Sequence, residues 1–166
     1  MRRKNVGIAA SVIGAALIGF AVVSCNDDST GPANNRYVAN LNAAAEGGGF
    51  TSPGSGVVEF LDLGSEITWT MTLTNMTAVT QSHIHLGDAT RVGATSGPVI
   101  INLYIPNGAT PTLNGVVAHG SITNANNANV SLDSLRVLFN NGNSYANVHT
   151  TAHPAGEIRD QVHLAP

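Results

Sequence analysis

Six histidines stand out in this sequence, and four of them fall in two groups whose spacing suits metal chemistry. The first group is Ser82-His83-Ile84-His85. On a β-strand, residues two apart face the same way, so the His83 and His85 imidazoles would project from one face with Cβ atoms roughly 7 Å apart. That is a common way for a β-protein to offer two nitrogens to one ion. The second group lies in Asn147-Val148-His149-Thr150-Thr151-Ala152-His153-Pro154-Ala155-Gly156-Glu157-Ile158-Arg159. Here His149 is expected to end one strand and residues 150–156 to connect it to the next. His83, His85, His149 and His153 are therefore the candidate metal ligands. An all-imidazole set without thiolate suits copper or zinc better than calcium or magnesium. The competing role for these rings is structural, with one nitrogen donating to a backbone carbonyl inside a β-domain. His119 and His163 stand alone on other expected strands and are weaker candidates.

Glu157 and Arg159 are two apart, so a strand would place them on one face. Their expected role is a bidentate ion pair pinning the loop that carries His153. No catalytic residue is assigned. There is no G-x-S-x-G elbow, and Gly47-Gly48-Gly49 has neither the lysine nor the following helix of a phosphate loop, so it reads as a turn.

The elements that must position these residues are mostly strands. Residues 67–74 alternate strictly, with apolar side chains at odd positions and Thr at even ones, the pattern of a half-buried antiparallel strand. Residues 57–63 precede it across a turn at Gly64-Ser65 and complete a hairpin. Further strands are expected at 37–43, 81–86, 99–105, 116–122, 145–149 and 157–163, separated by Gly-, Pro- and Asn-rich turns. One segment has helical spacing: Leu132, Leu135, Leu138 and Phe139, with Ser131 as N-cap and Gly142 just past the end. The fold class is all-β, an antiparallel Greek-key or immunoglobulin-like sandwich or barrel with one short helix covering an open end.

Length and charge bound the rest. The 166 residues suit one domain and leave no room for two full-sized ones. A single cysteine excludes an intramolecular disulfide framework and a multi-cysteine zinc site. From Cys25 onward four arginines and no lysine face ten carboxylates, a balance that argues against nucleic-acid binding. The first residues differ from the rest. Arg2, Arg3 and Lys4 precede an uncharged apolar run at 6–23, which ends in Val22-Val23-Ser24-Cys25 and is followed by Asn26, Asp27 and Asp28. A positive start, an apolar middle and a small residue before the cut describe a secretory signal. The position of Cys25 resembles the bacterial lipobox, in which the cysteine thiol carries diacylglycerol after cleavage. Residues 1–24 are thus expected to be a lipoprotein signal peptide, and 25–35 a lipidated cysteine and flexible tether. An ordinary signal or an uncleaved membrane anchor are the alternatives.

Within 36–166, Ser82-His83-Ile84-His85-Leu86-Gly87, Gly97-Pro98-Val99-Ile100, Tyr145-Ala146-Asn147-Val148-His149-Thr150 and His153-Pro154-Ala155-Gly156-Glu157-Ile158-Arg159 together resemble the CHRD domain. That family was first described in chordin and is widespread in bacterial secreted proteins and lipoproteins. The resemblance implies a β-rich module of the cell envelope with no accepted catalytic residues to transfer. The leading reading is a lipid-anchored binding or structural module whose partner is an envelope protein or glycan, with the membrane reached through the lipid; a copper- or zinc-binding envelope protein that uses the histidine cluster, with redox activity, is the alternative function. Two positions depart from the family pattern: Asp160 replaces a usual Gly, and the early N/Q-E-V-P-P element is present only as Ala45-Glu46-Gly47-Gly48-Gly49. The H-x-H followed by Gly87-Asp88 is also similar, over a short stretch, to copper,zinc superoxide dismutase. The disulfide of those enzymes cannot form here and their zinc loop is not found, so dismutase activity does not follow.

Overall fold

The computed structural model describes residues 35–87 and 97–166. Cys25, the apolar run before it and Asp88 lie outside the described residues. Among the described residues, nine strands form two antiparallel sheets. The first sheet has the order β6-β3-β2-β1-β9, from β1 (Arg36–Leu41), β2 (Ser55–Asp62), β3 (Ile67–Met76), β6 (Leu113–Ile122) and β9 (His163–Leu164). The second has the order β5-β4-β7-β8, from β4 (Val79–Leu86), β5 (Val99–Tyr104), β7 (Ser144–Thr150) and β8 (Ile158–Gln161). The result is a sandwich and not a closed barrel.

The alternation in β3 does what its period dictates. Ile67, Trp69, Met71 and Leu73 are buried, while Thr68, Thr70 and Thr72 are half-exposed on the outer face. Ile84, Ala146, Val148 and Ile158 from the second sheet meet them in one core. The helix α2 (Leu132–Asn140) starts at Ser131, whose side chain accepts from the Ser134 N–H, and is followed by Gly142 at φ 64°. Leu132, Leu135 and Phe139 are its buried stripe, and Phe139 packs edgewise on Tyr37 and tilted on Phe60, with centroids 5.1 and 5.0 Å away. Arg136 then fixes the helix to the β2–β3 turn: its Nε and Nη2 donate to the buried Asp62 carboxylate at 2.7 and 2.9 Å and Nη2 also to the Gly64 carbonyl. The guanidinium holds the Asp62 carboxyl below its ordinary range.

Two expectations change. The expected strand at 37–43 ends at Leu41, because Asn42 caps a four-residue helix, α1 (Ala43–Glu46), by accepting from the Ala45 N–H. A run of Ala-Ala-Ala-Glu is too short to show helical periodicity. The expected strand at 157–163 divides at Val162, which is fully buried while its N–H donates to the Ser144 carbonyl. There the chain leaves the second sheet and joins the first, so β8 and β9 are separate strands. Asn42 and Arg159 exchange two backbone hydrogen bonds of 3.2 Å each, and this edge of the sandwich is stitched.

Candidate metal centre

Register builds the site. In β4 and β7, His83 lies opposite Asn147 and His85 opposite Tyr145, while His149 lies opposite Gln81. All of these side chains therefore occupy one face, the one turned away from Ile84, Ala146 and Val148. Strand β8 adds Arg159 opposite Asn147. This outer face is buried as well: His83, His85 and His149 are 6, 4 and 6% exposed, and Tyr145, Asn147 and Arg159 no more than 3%. Every residue of β7 is buried.

One ring nitrogen from each of His83, His85 and His149 lies within 4.8 Å of the others, and the ring centroids are 5.2 to 6.1 Å apart. Two rings are fixed from behind. His85 Nδ1 is 2.7 Å from the Gly97 carbonyl, and His149 Nδ1 is 2.9 Å from the Pro154 carbonyl. A carbonyl only accepts, so each Nδ1 carries the proton and each Nε2 presents a lone pair. Those two Nε2 atoms, and Nδ1 of His83, are buried without a hydrogen-bond partner. Burial, helped by the adjacent His149 and His85 rings, lowers the His83 pKa to about 4. Burial also lowers His85 and His149, against the opposing effect of the Gly97 and Pro154 carbonyls. All three shifts favour the neutral imidazole, the form a metal requires.

The geometry fits an ion. Bonds of about 2.1 Å in a tetrahedral site need nitrogens about 3.4 Å apart, so an ion would draw the three together from within their present 4.8 Å. The carbonyl behind each imidazole is the kind of outer partner that fixes a ligating ring. Tyr145 adds packing: its ring stacks on His85 at 5.0 Å and 5°, its hydroxyl accepts from the Gly97 N–H, and the Arg159 guanidinium lies 5.0 Å from its centroid.

The CHRD domain model covers residues 37–162, well over half of the sequence. The chain belongs to the CHRD domain family. No curated protein and no solved structure matches it significantly.

Of the four CHRD-domain histidines expected as ligands, the structure brings together three. His153 is not part of the group; the 150–156 connection turns its ring onto Phe50, stacked at 4.0 Å and 16°. His119 and His163 are exposed on β6 and β9, away from the group. The ion pair expected between Glu157 and Arg159 is replaced by two separate contacts. Glu157 precedes the start of β8, and its oxygens accept from Ser52 Oγ at 2.5 Å and Thr150 Oγ1 at 2.6 Å. Arg159 instead meets Glu46, with Nε 3.6 Å from Oε2, and donates to the Ala45 carbonyl at 2.9 Å. The loop is still pinned, through hydroxyls in place of the guanidinium.

The departures from the family pattern acquire roles. Ala45-Glu46 forms the end of α1, where the Ala45 carbonyl accepts from Arg159 and the Glu46 carboxylate makes the ion pair with it. Burial raises the Glu46 pKa against the pull of Arg159 and His153. A Cβ at Gly156 would strike the Glu46 carboxylate, so the invading acid and the glycine at φ 137° belong together. Asp160 accepts from the Asn40 N–H at 2.9 Å and ties the two sheets. Sequence reasoning gave Tyr145 and Asn147 no role, although the alternation Tyr145-x-Asn147-x-His149 already placed them beside a candidate ligand. Glu46 carried no such signal, since its contacts are long-range.

Proposed function

We propose that this protein is a metal-binding CHRD module that holds one copper or zinc ion through His83, His85 and His149. The observation that carries the reading is that one ring nitrogen from each of three buried histidines lies within 4.8 Å of the others, while every one of these rings keeps a buried nitrogen with no hydrogen-bond partner and two are held by a backbone carbonyl at the other nitrogen. Burying polar atoms unpaired is costly, and an ion is the partner that would satisfy all three at once. A copper ion there would supply one-electron chemistry, and zinc a Lewis acid. The chain's own contribution is to keep the imidazoles neutral, oriented and shielded.

The test is metal content. The purified full chain, equilibrated with copper or zinc and desalted, is expected to retain about one ion per chain, and the His83→Ala/His85→Ala double variant none. A folded wild-type protein that retains no metal would leave a β-sandwich adhesion or scaffold module.

The location we propose is the bacterial cell envelope, with the module anchored by lipid on Cys25. What supports this is the arrangement Arg2-Arg3-Lys4, apolar run, Ser24-Cys25 and a polar tether. Cys25→Ala is expected to release the protein from the membrane fraction and abolish lipid labelling; retention without label would favour an uncleaved helical anchor.

A further inference from the structure

Asn147 occupies the middle of the histidine face. On β7 it lies between Tyr145 and His149; across the sheet it is directly opposite His83 on one side and Arg159 on the other. Directly opposed residues have Cβ atoms about 4.5–5.5 Å apart, so the Asn147 side chain rises among the three imidazoles. It is 1% exposed, and its Oδ1 is buried with no hydrogen-bond partner. Six buried side-chain atoms lack partners among the described residues, and four of them are Asn147 Oδ1 and the three imidazole nitrogens of this one face. Packing alone does not explain a polar amide there, because a small apolar residue would fill the position without an unpaired oxygen.

An amide oxygen offers lone pairs without charge and serves as a ligand to cations. Three imidazoles leave a four-coordinate ion one position short. We infer that Asn147 Oδ1 is the fourth protein ligand of the ion held by His83, His85 and His149, giving a set of three nitrogens and one oxygen that is neutral throughout. The inference rests on the metal-binding reading above. A neutral set leaves the ion's full positive charge uncompensated by its own ligands. A carboxylate at the same position therefore binds the ion more tightly than the native amide does.

Cobalt(II) serves as the probe, since its visible spectrum reports the donor atoms, and copper(II) affinity is read by chelator competition. The full chain is compared with Asn147→Ala and Asn147→Asp. Asn147→Ala is expected to keep a metal site of roughly tenfold or more lower affinity, with an altered cobalt spectrum. Asn147→Asp, nearly the same shape, is expected to bind at least as tightly as wild type, again with an altered spectrum. If Asn147→Ala does not fold, Asn147→Asp decides alone. Variants that bind more weakly with an unmoved cobalt spectrum overturn the inference and make Asn147 a residue that positions a histidine; wild-type affinity and spectrum in both variants overturn it outright. Failure of the metal-binding reading looks different, because wild type itself would then bind neither cobalt nor copper.

Discussion

The two faces of the β4–β7–β8 sheet are both buried, yet they are built on opposite rules. The inner face presents Ile84, Ala146, Val148 and Ile158 to the core, each with no measurable exposure. The outer face, made by the alternate residues of the same strands, presents His83, His85, Tyr145, Asn147, His149 and Arg159 at 6% exposure or less. The inner face leaves no polar side-chain requirement on those four positions, whereas the outer face leaves four buried polar atoms unpaired. Hydrophobic burial stabilises in proportion to area, but an unpaired buried polar atom costs about 1–3 kcal/mol. The sandwich thus draws its stability from one side of this sheet and keeps the other for a ligand.

The contrast breaks most visibly in the core. Phe139 has no exposure and wedges between Tyr37 and Phe60. Phe139→Ala is expected to cost about 3–5 kcal/mol in denaturant unfolding, as large aromatic deletions do. A loss under 1 kcal/mol would show that α2 is not part of the core.

Acid tests the polar face next. His83 titrates near 4 in the folded protein against an ordinary value of 6.5. Between those values the unfolded chain binds protons that the native chain refuses, so stability falls as pH is lowered through the window. At about 1.4 kcal/mol per unit, His83 alone contributes a loss of about 3 kcal/mol in the metal-free protein. His85 and His149, shifted the same way, add to it. Unfolding free energies measured from pH 7 to 4 should show this slope, and His83→Leu should remove part of it. A flat profile would mean that the rings are solvated.

At the rim of the inner face, Asp160 reaches the Asn40 backbone in the other sheet. Asp160→Gly, which restores the family's commoner residue, is expected to cost about 1–2 kcal/mol through the lost hydrogen bond and the freer unfolded backbone. Thermal unfolding with an unchanged midpoint would make this tie dispensable.

How much of this contrast was legible beforehand follows from what is local. Strict alternation in β3 and the Ser131 and Gly142 boundaries of α2 are set within a few residues, and they were readable as sequence. So was the shared face of His83 and His85, because period two fixes it on any strand. That His149 joins them depends on the β4–β7 register, and that His153 does not depends on a loop that turns its ring to Phe50. Neither distance is encoded in spacing. Arg159 was expected to meet its neighbour in sequence, but α1 brings Glu46 from 113 positions away, and no periodic pattern announces a four-residue helix.

The smallest expected effect is the most discriminating. In the metal-free protein, His83→Leu exchanges a buried ring with an unpaired Nδ1 for an apolar side chain that needs no partner. Lost packing and the removed desolvation cost oppose each other, so at pH 7 the change should stay within about 1 kcal/mol and lean toward stabilisation. The same substitution removes a ligand, so saturating copper or zinc should no longer raise the melting temperature. In wild type a ligand at a hundred times its Kd adds about 2.7 kcal/mol. A position nearly silent without metal and decisive with it is what a binding face predicts. A metal-free loss comparable to that of Phe139→Ala would mean instead that the histidines hold the sheet together, and the two faces would then differ in composition but not in purpose.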